Sequence, residues 1–119
     1  MPPDQLEIVP APLGGVPGIA LAGEIDIAVA PQVSAALDEG ARTTDGAFVV
    51  DLCDVEFLDS SGVTVLVRAR AVLGRDDREL VVICPPGPVR RIFEVAGIVD
   101  LLALYASRDE AASALVPAE

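Results

Sequence analysis

The residues best suited to chemistry lie in one run, Asp51-Leu52-Cys53-Asp54-Val55-Glu56-Phe57-Leu58-Asp59-Ser60-Ser61-Gly62. It reads as a buried strand, a short loop and the start of a helix. Asp59 or Ser60 suits the N-cap, which puts Ser61 in the first helical turn. The first amides of a helix have no partner within it, and the aligned peptide dipoles add about half a positive charge there. A phosphate carried on Ser61 would meet those donors, and a sulfate or a nucleotide phosphate could use the same place. Gly62 would let the backbone pass close to whatever Ser61 carries. Three readings stay open: plain helix capping, a modifiable serine and a nucleophile. The nucleophile lacks a general base. The chain has no His and no Lys, and carboxylates are poor bases for an unactivated hydroxyl. The G-x-S-x-G elbow is also absent.

A second acidic group, Gly23-Glu24-Ile25-Asp26, ends a strand just ahead of a helix. Asp26 suits capping through the Ala28 and Val29 amides. Where its strand neighbours the one before Asp59, the two carboxylates approach each other, and a paired-carboxylate enzyme is the rival reading. The helix after Ser61 shows Val63, Thr64, Val67, Arg68 and Ala71 on the face opposite its core stripe. Val63, Val67 and Ala71 recur at i, i+4 and i+8. A helix apolar on both sides is either sandwiched in the interior or docks a partner.

Composition removes many other functions. The chain has 119 residues, 52% of them hydrophobic, which fits one folded domain over residues 1–119. About two-thirds of the unfolded surface is buried at this size. Nineteen acids face eight bases, all Arg, for a net charge of −11. That leaves no basic stripe to displace counterions from a nucleic acid. Without His there is no Ser-His-Asp or Cys-His catalysis and no His-ligated metal. Four aromatics and no Trp leave little for base stacking. Cys53 and Cys84 stand outside any CxxC pair and read as small packing residues of a reducing compartment. MPPDQLEIVP lacks the features of a signal peptide, and no apolar run is long enough to span a membrane. The expected location is the cytoplasm, and the all-Arg, Ala- and Val-rich composition fits a GC-rich bacterial genome.

The elements that must position these residues follow from periodicity. Residues 6–9 and 18–25 are expected strands, joined by a Pro-rich hairpin around Gly14-Gly15 at a sheet edge. A helix is expected over about 30–39, with Pro31 in its first turn and Gly40 after its end. Residues 47–52 form a continuous apolar strand suited to burial on both faces. A helix over 61–73 carries the stripe Gly62, Val65, Leu66, Ala69, Val72 and Leu73, and Gly74 ends it. Residues 79–84 form a strand, Pro88 opens a helix to about residue 96, and Gly97 stops it. Residues 101–105 form a last strand, and Ser107 with Glu110 makes a capping box for a final helix. The order is ββαβαβαβα: an α/β fold with a mixed, mostly parallel sheet of four to five strands.

GEIDIAVAPQV, FVVDLCDVEFLDSSGVTVLVRA and PVRRIFEVAGIVDLL occur in the order and spacing of a STAS domain, and the chain resembles the anti-sigma factor antagonist family over residues 18–115. The resemblance implies a monomeric regulatory phosphoprotein with no catalysis of its own. In that family a partner that is both serine kinase and anti-sigma factor phosphorylates the second serine of D-S-S-G, which is Ser61 here. The unphosphorylated form binds that kinase and frees the sigma factor, and a serine/threonine phosphatase resets the switch. The family's contact surface corresponds to Asp26, Asp59, Ser60, Ser61, Val63, Thr64 and Val67, with Gly62 and Arg68 completing the candidate set. No cofactor is implied, though weak nucleotide binding has been attributed to some members. A STAS accessory module that senses a nucleotide or serves a lipid-transport partner is the alternative. The chain departs from the family at Val29, Cys53 and Thr64. Thr64 adds a side chain where the family prefers Gly, which would narrow partner choice.

Overall fold

In a computed structural model, residues 6–115 are described; the first five and last four residues of the expected 1–119 domain lie outside them. The elements are β1 (Glu7–Pro10), β2 (Gly18–Ile25), α1 (Ala30–Thr43), β3 (Phe48–Leu58), α2 (Ser60–Gly74), β4 (Leu80–Ile83), α3 (Pro88–Ala96), β5 (Ala103–Tyr105) and α4 (Arg108–Leu115). The five strands form one sheet in the order β1-β2-β3-β4-β5. β1 runs antiparallel to β2, and every other pairing is parallel. Element order and sheet class match the expectation. The hairpin turns at Gly14 and Gly15, both at positive φ (57° and 84°), between Leu13 and Val16, which exchange both backbone hydrogen bonds. Such a turn follows the twist of the strands it joins.

The core has two unequal parts. On one face, Val33 and Leu37 of α1, Val65, Leu66 and Leu73 of α2, and Phe93 of α3 pack against Leu21, Val50, Leu52 and Val82 of the sheet. On the other, Ala111 of α4 and Leu13 of the hairpin cover Val49, Val81 and Ile83. Asp51, buried on this back face, accepts a hydrogen bond at 2.7 Å from Arg108, whose guanidinium also donates to the Pro12 carbonyl at 2.9 Å. One ion pair thus clasps the hairpin and α4 onto the sheet.

Several boundaries differ from expectation, and three of them have a clear physical reason. β3 runs on to Leu58, six residues past the expected end. Asp54 and Glu56 look like loop residues, but they point outward while Val55 and Leu58 point in. Two register shifts against β2 let the ladder continue. α1 runs past Gly40 to Thr43. Its last carbonyls are taken by the Thr43 and Thr44 hydroxyls and by Arg78, which donates to the Ala41 carbonyl at 2.8 Å. Gly40 is there for space: a Cβ would stand 2.4 Å from the Phe48 ring. Gly74 lies within α2, whose C-cap is Arg75. Gly97 does end α3 in the left-handed conformation, φ 73°, where glycine has no steric penalty.

The cysteines divide. Cys84 is buried as expected, but Cys53 is exposed, which corrects the reading of both as packing residues. β4 pairs with β3 only as far as Asp51, and α4 packs over the same end, so Cys53 stands beyond the cover. Its thiolate form is disfavoured all the same. Desolvation, the hydrogen bond to Asp51 and the charges of Asp51 and Asp54 push its pKa up to about 12.

Helix propensity alone would make Gly40→Ala stabilising by about 1 kcal/mol. The contact with the buried Phe48 ring reverses the sign. The expected outcome in urea denaturation is a loss of about 1–3 kcal/mol, the usual range for overpacking.

Candidate functional site

β2 and β3 are parallel and leave the sheet at the same edge, with Ile25 opposite Leu58. The last rung is the Asp59 amide donating to the Ile25 carbonyl at 3.1 Å. It makes Asp26 and Asp59 the first residues of two loops that start from neighbouring strand ends. Each carboxylate then caps the turn that follows it. Asp26 accepts from the amides of Ala28 at 3.0 Å and Val29 at 3.3 Å. Asp59, in an extended conformation (φ −99°, ψ −174°), is the N-cap of α2. Its carboxylate accepts from the amides of Ser61 at 2.9 Å and Gly62 at 3.4 Å, and from the Ser61 hydroxyl.

These bonds set the electrostatics. The Ser61 hydroxyl, then the Gly62, Ser61 and Ile27 amides, hold the Asp59 carboxyl below its ordinary range against a smaller effect of desolvation. A carboxylate so stabilised is a poor proton acceptor. Asp26 and Asp59 each spend one carboxylate oxygen on backbone amides. Among the described residues, no cluster of three or more His, Cys, Asp or Glu side chains is placed to hold a metal ion.

Ser61 is half-exposed and Ser60 exposed, so both hydroxyl-bearing positions are open to another protein. Thr64 and Arg68 are exposed, while Val63 and Val67 are half-buried between α2 and its neighbours. The Thr64 hydroxyl donates back to the Ser60 carbonyl at 2.9 Å. Gly62 needs correction as a contact residue and as a concession to a group on Ser61. It is buried and faces inward, and a Cβ there would come within 2.5 Å of Leu58 and 3.0 Å of Ile25. Its missing side chain lets α2 sit down on the strand ends.

Two shallow grooves flank this helix start. One, about 470 Å³, lies between α1 and α2 and is lined by Ile27, Pro31, Ser34, Ser61, Thr64 and Arg68, among others. The other, about 530 Å³, lies between α2 and α3 and is lined by Ser60, Val63, Pro88, Arg91, Ile92 and Val95, among others. A larger cleft of about 680 Å³ lies around Arg70, Arg75 and Arg78, away from Ser61. Arg78 is spent there on the Gly46 and Ala41 carbonyls and the Thr44 hydroxyl.

Sequence reasoning missed Ile27, Ile92 and Val95. Ile27 is 77% exposed and Val95 79% exposed, large apolar side chains left in water on either side of Ser61. The signal for Val95 was present. Ile92 and Val95 are spaced i, i+3 on α3, off the line of the buried Val89 and Phe93. Ile27 carries no periodic signal, because it stands in the turn between a strand and a helix.

Comparison with known proteins is consistent with this geometry. The family model described as "Mlab, STAS domain" matches residues 12–104. The anti-sigma-B factor antagonist of Listeria monocytogenes is 36% identical over 85 residues, 71% of this chain and 74% of that protein. The crystal structure of an anti-sigma factor antagonist from Mycobacterium paratuberculosis superimposes with a TM-score of 0.86 at 29% identity, covering 96% of this chain and 97% of that one. The unphosphorylated form of the anti-sigma factor antagonist SpoIIAA shares the fold, with a TM-score of 0.68 at 21% identity, covering 95% of this chain and 98% of that one.

The Asp59 cap has a pH signature. Its folded-state pKa lies below the unfolded value of about 3.9, so its contribution is complete above that value and is lost as pH falls through the lower, folded one. Asp59→Ala should cost about 1 kcal/mol at neutral pH, the typical loss of an N-cap. Urea denaturation at a series of pH values should show the difference from wild type shrinking below about pH 4. A difference that grows on acidification would contradict the assignment.

Proposed function

The chain belongs to the STAS domain family, alongside the anti-sigma factor antagonists, and from that premise we propose that it is a phosphorylation-gated binding module. Unphosphorylated, it binds an anti-sigma factor that is also a serine kinase, and the sigma factor is released. Phosphorylation of Ser61 ends the binding, and a serine/threonine phosphatase restores it. The observation that carries this reading is the setting of Ser61: half-exposed, in the first turn of α2, with an apolar groove on each side.

The surface has the anatomy of a docking site. A few well-packed anchors near the centre of an interface carry most of its energy, and the contacts around them exclude water. Ile27 and Val95 supply the anchors here, with Arg68 and Arg91 at the rims of the two grooves. No rearrangement of the domain is required for release. A phosphate adds about −1.5 to −2 charges at pH 7. The chain is already at −11, and a kinase holding a nucleotide brings further negative charge. At about 6 Å and an effective dielectric near 20, each unit pair of like charges costs on the order of 3 kcal/mol, roughly a hundredfold in affinity.

Binding and phosphate transfer are measured together. The serine-kinase anti-sigma factors of the source genome are purified and each is incubated with the chain and ATP. One of them should add a single phosphate, lost in Ser61→Ala. Ser61→Ala should bind that kinase as wild type does, and Ser61→Asp about a hundredfold more weakly by the same charge estimate. Equal affinity of wild type, Ser61→Ala and Ser61→Asp would end the proposal. Nucleotide binding without transfer would favour an accessory module instead.

The docking surface has its own test. Ile27→Glu places a charge on a side chain already in water, so the thermal midpoint should stay within about 2 °C of wild type. Affinity for the kinase should fall at least tenfold, as for the loss of an interface anchor. Unchanged affinity would put the interface elsewhere.

A further inference from the structure

The hydrogen bond between the Ser61 hydroxyl and the Asp59 carboxylate joins the phosphate acceptor to the residue that caps its helix. The same carboxylate oxygen also accepts from the Ser61 amide at 2.9 Å and the Gly62 amide at 3.4 Å. Backbone contacts therefore hold the carboxylate in place, and the hydroxyl is held by the carboxylate. We propose that Asp59 is a positioning residue for phosphoryl transfer, holding the Ser61 hydroxyl before transfer and repelling the phosphoryl group after it. The proposal rests on the reading of Ser61 as the phosphate acceptor.

Before transfer, a serine side chain has three staggered wells open to it. Donation to Asp59 selects one of them and leaves the lone pairs of Oγ facing away from the carboxylate. A kinase then meets an oxygen already oriented, which removes part of the entropic cost of reaching an attacking geometry. In the transfer itself, Ser61 Oγ attacks the terminal phosphorus of a nucleoside triphosphate. The Oγ–P bond forms as the bond from phosphorus to the bridging oxygen breaks, and a nucleoside diphosphate leaves. The hydroxyl proton faces Asp59 until the Oγ–P bond forms; it then becomes strongly acidic, leaves that hydrogen bond and passes to a general base on the kinase.

After transfer, Oγ has no proton left to donate. A carboxylate and a phosphate of nearly two charges then stand where a hydrogen bond was. Two anions compete for the Ser61 and Gly62 amides, and the repulsion turns the phosphate outward, toward the surface a partner would occupy. One residue thus sharpens both ends of the switch.

Asp59→Asn removes the charge and keeps a good N-cap, so the fold is retained. The first measurement needs no kinase. Phosphoserine is incorporated at position 61 during translation, in wild type and in Asp59→Asn, and the phosphate is titrated by ³¹P NMR. Its second pKa should be higher in wild type than in Asp59→Asn by about half a unit or more, the effect of a like charge nearby. Equal values overturn the repulsive half of the proposal. The second measurement is steady-state phosphorylation by the kinase that modifies wild type. Asp59→Asn should lower kcat about tenfold, a loss separate from any change in KM, since orientation is lost. An unchanged kcat overturns the holding half. The two kinds of failure are distinct: if no kinase modifies wild type, Ser61 is not the acceptor, whereas an unaltered variant beside a modified wild type rejects Asp59 alone.

Discussion

A single backbone hydrogen bond, from the Asp59 amide to the Ile25 carbonyl, sets the geometry on which the site depends. It is the final rung of the parallel ladder between β2 and β3. Parallel strands discharge their chains at the same edge of a sheet, so the two loops that follow must start as neighbours. Each loop begins with an aspartate, and each aspartate spends its carboxylate on the amides that open the next turn. Ser61 therefore arrives at the surface on a rigid helix start. Sites carried on such elements hold their geometry better than sites on free loops.

Three of the eight arginines of this acidic chain are used as structural ties. Arg78 joins the end of α1 to the loop before β3. Arg90 donates to the Cys84 carbonyl at 2.9 Å, and Arg108 links the hairpin, Asp51 and α4. Arg satisfies several carbonyls at once because its donors are spread along a rigid fork. With these drawn inward, the surplus of acids faces solvent. A surface of that sign attracts basic partners and is ill-suited to tolerate one more anion beside a contact.

Much of this was legible in the residues, because the relevant signals are local. The stripe on α2, the glycine after α3 and the S-x-x-E box before α4 are read within one or two turns. Half of the box forms as written, with the Glu110 amide donating to Ser107, while the Glu110 carboxylate accepts from the Ala106 amide, one residue earlier than the pattern requires. The aspartate caps and the placement of Ser61 were legible for the same reason. What escaped depends on distant partners. Gly40 looks like a helix stop until Phe48 occupies the space beside it. The far half of β3 looks like a loop until β2 pairs with it. Cys53 looks like a packing residue until the shortness of β4 leaves its surroundings bare. Gly62 was assigned to the site by its neighbours in the chain, whereas its neighbours in space are Leu58 and Ile25. Ile27 was missed because exposure of an apolar side chain in a turn is a property of the assembled surface, whereas Val95 carried a helical spacing signal off the core line of α3.

The strand order, β1-β2-β3-β4-β5, places every strand beside its immediate predecessor. No strand has to be threaded between two others already paired. As the polypeptide leaves the ribosome, each newly made strand therefore finds its template complete, and the sheet grows outward from its first edge. Domains that can assemble in the direction of synthesis spend little time with long unpaired strands open to aggregation.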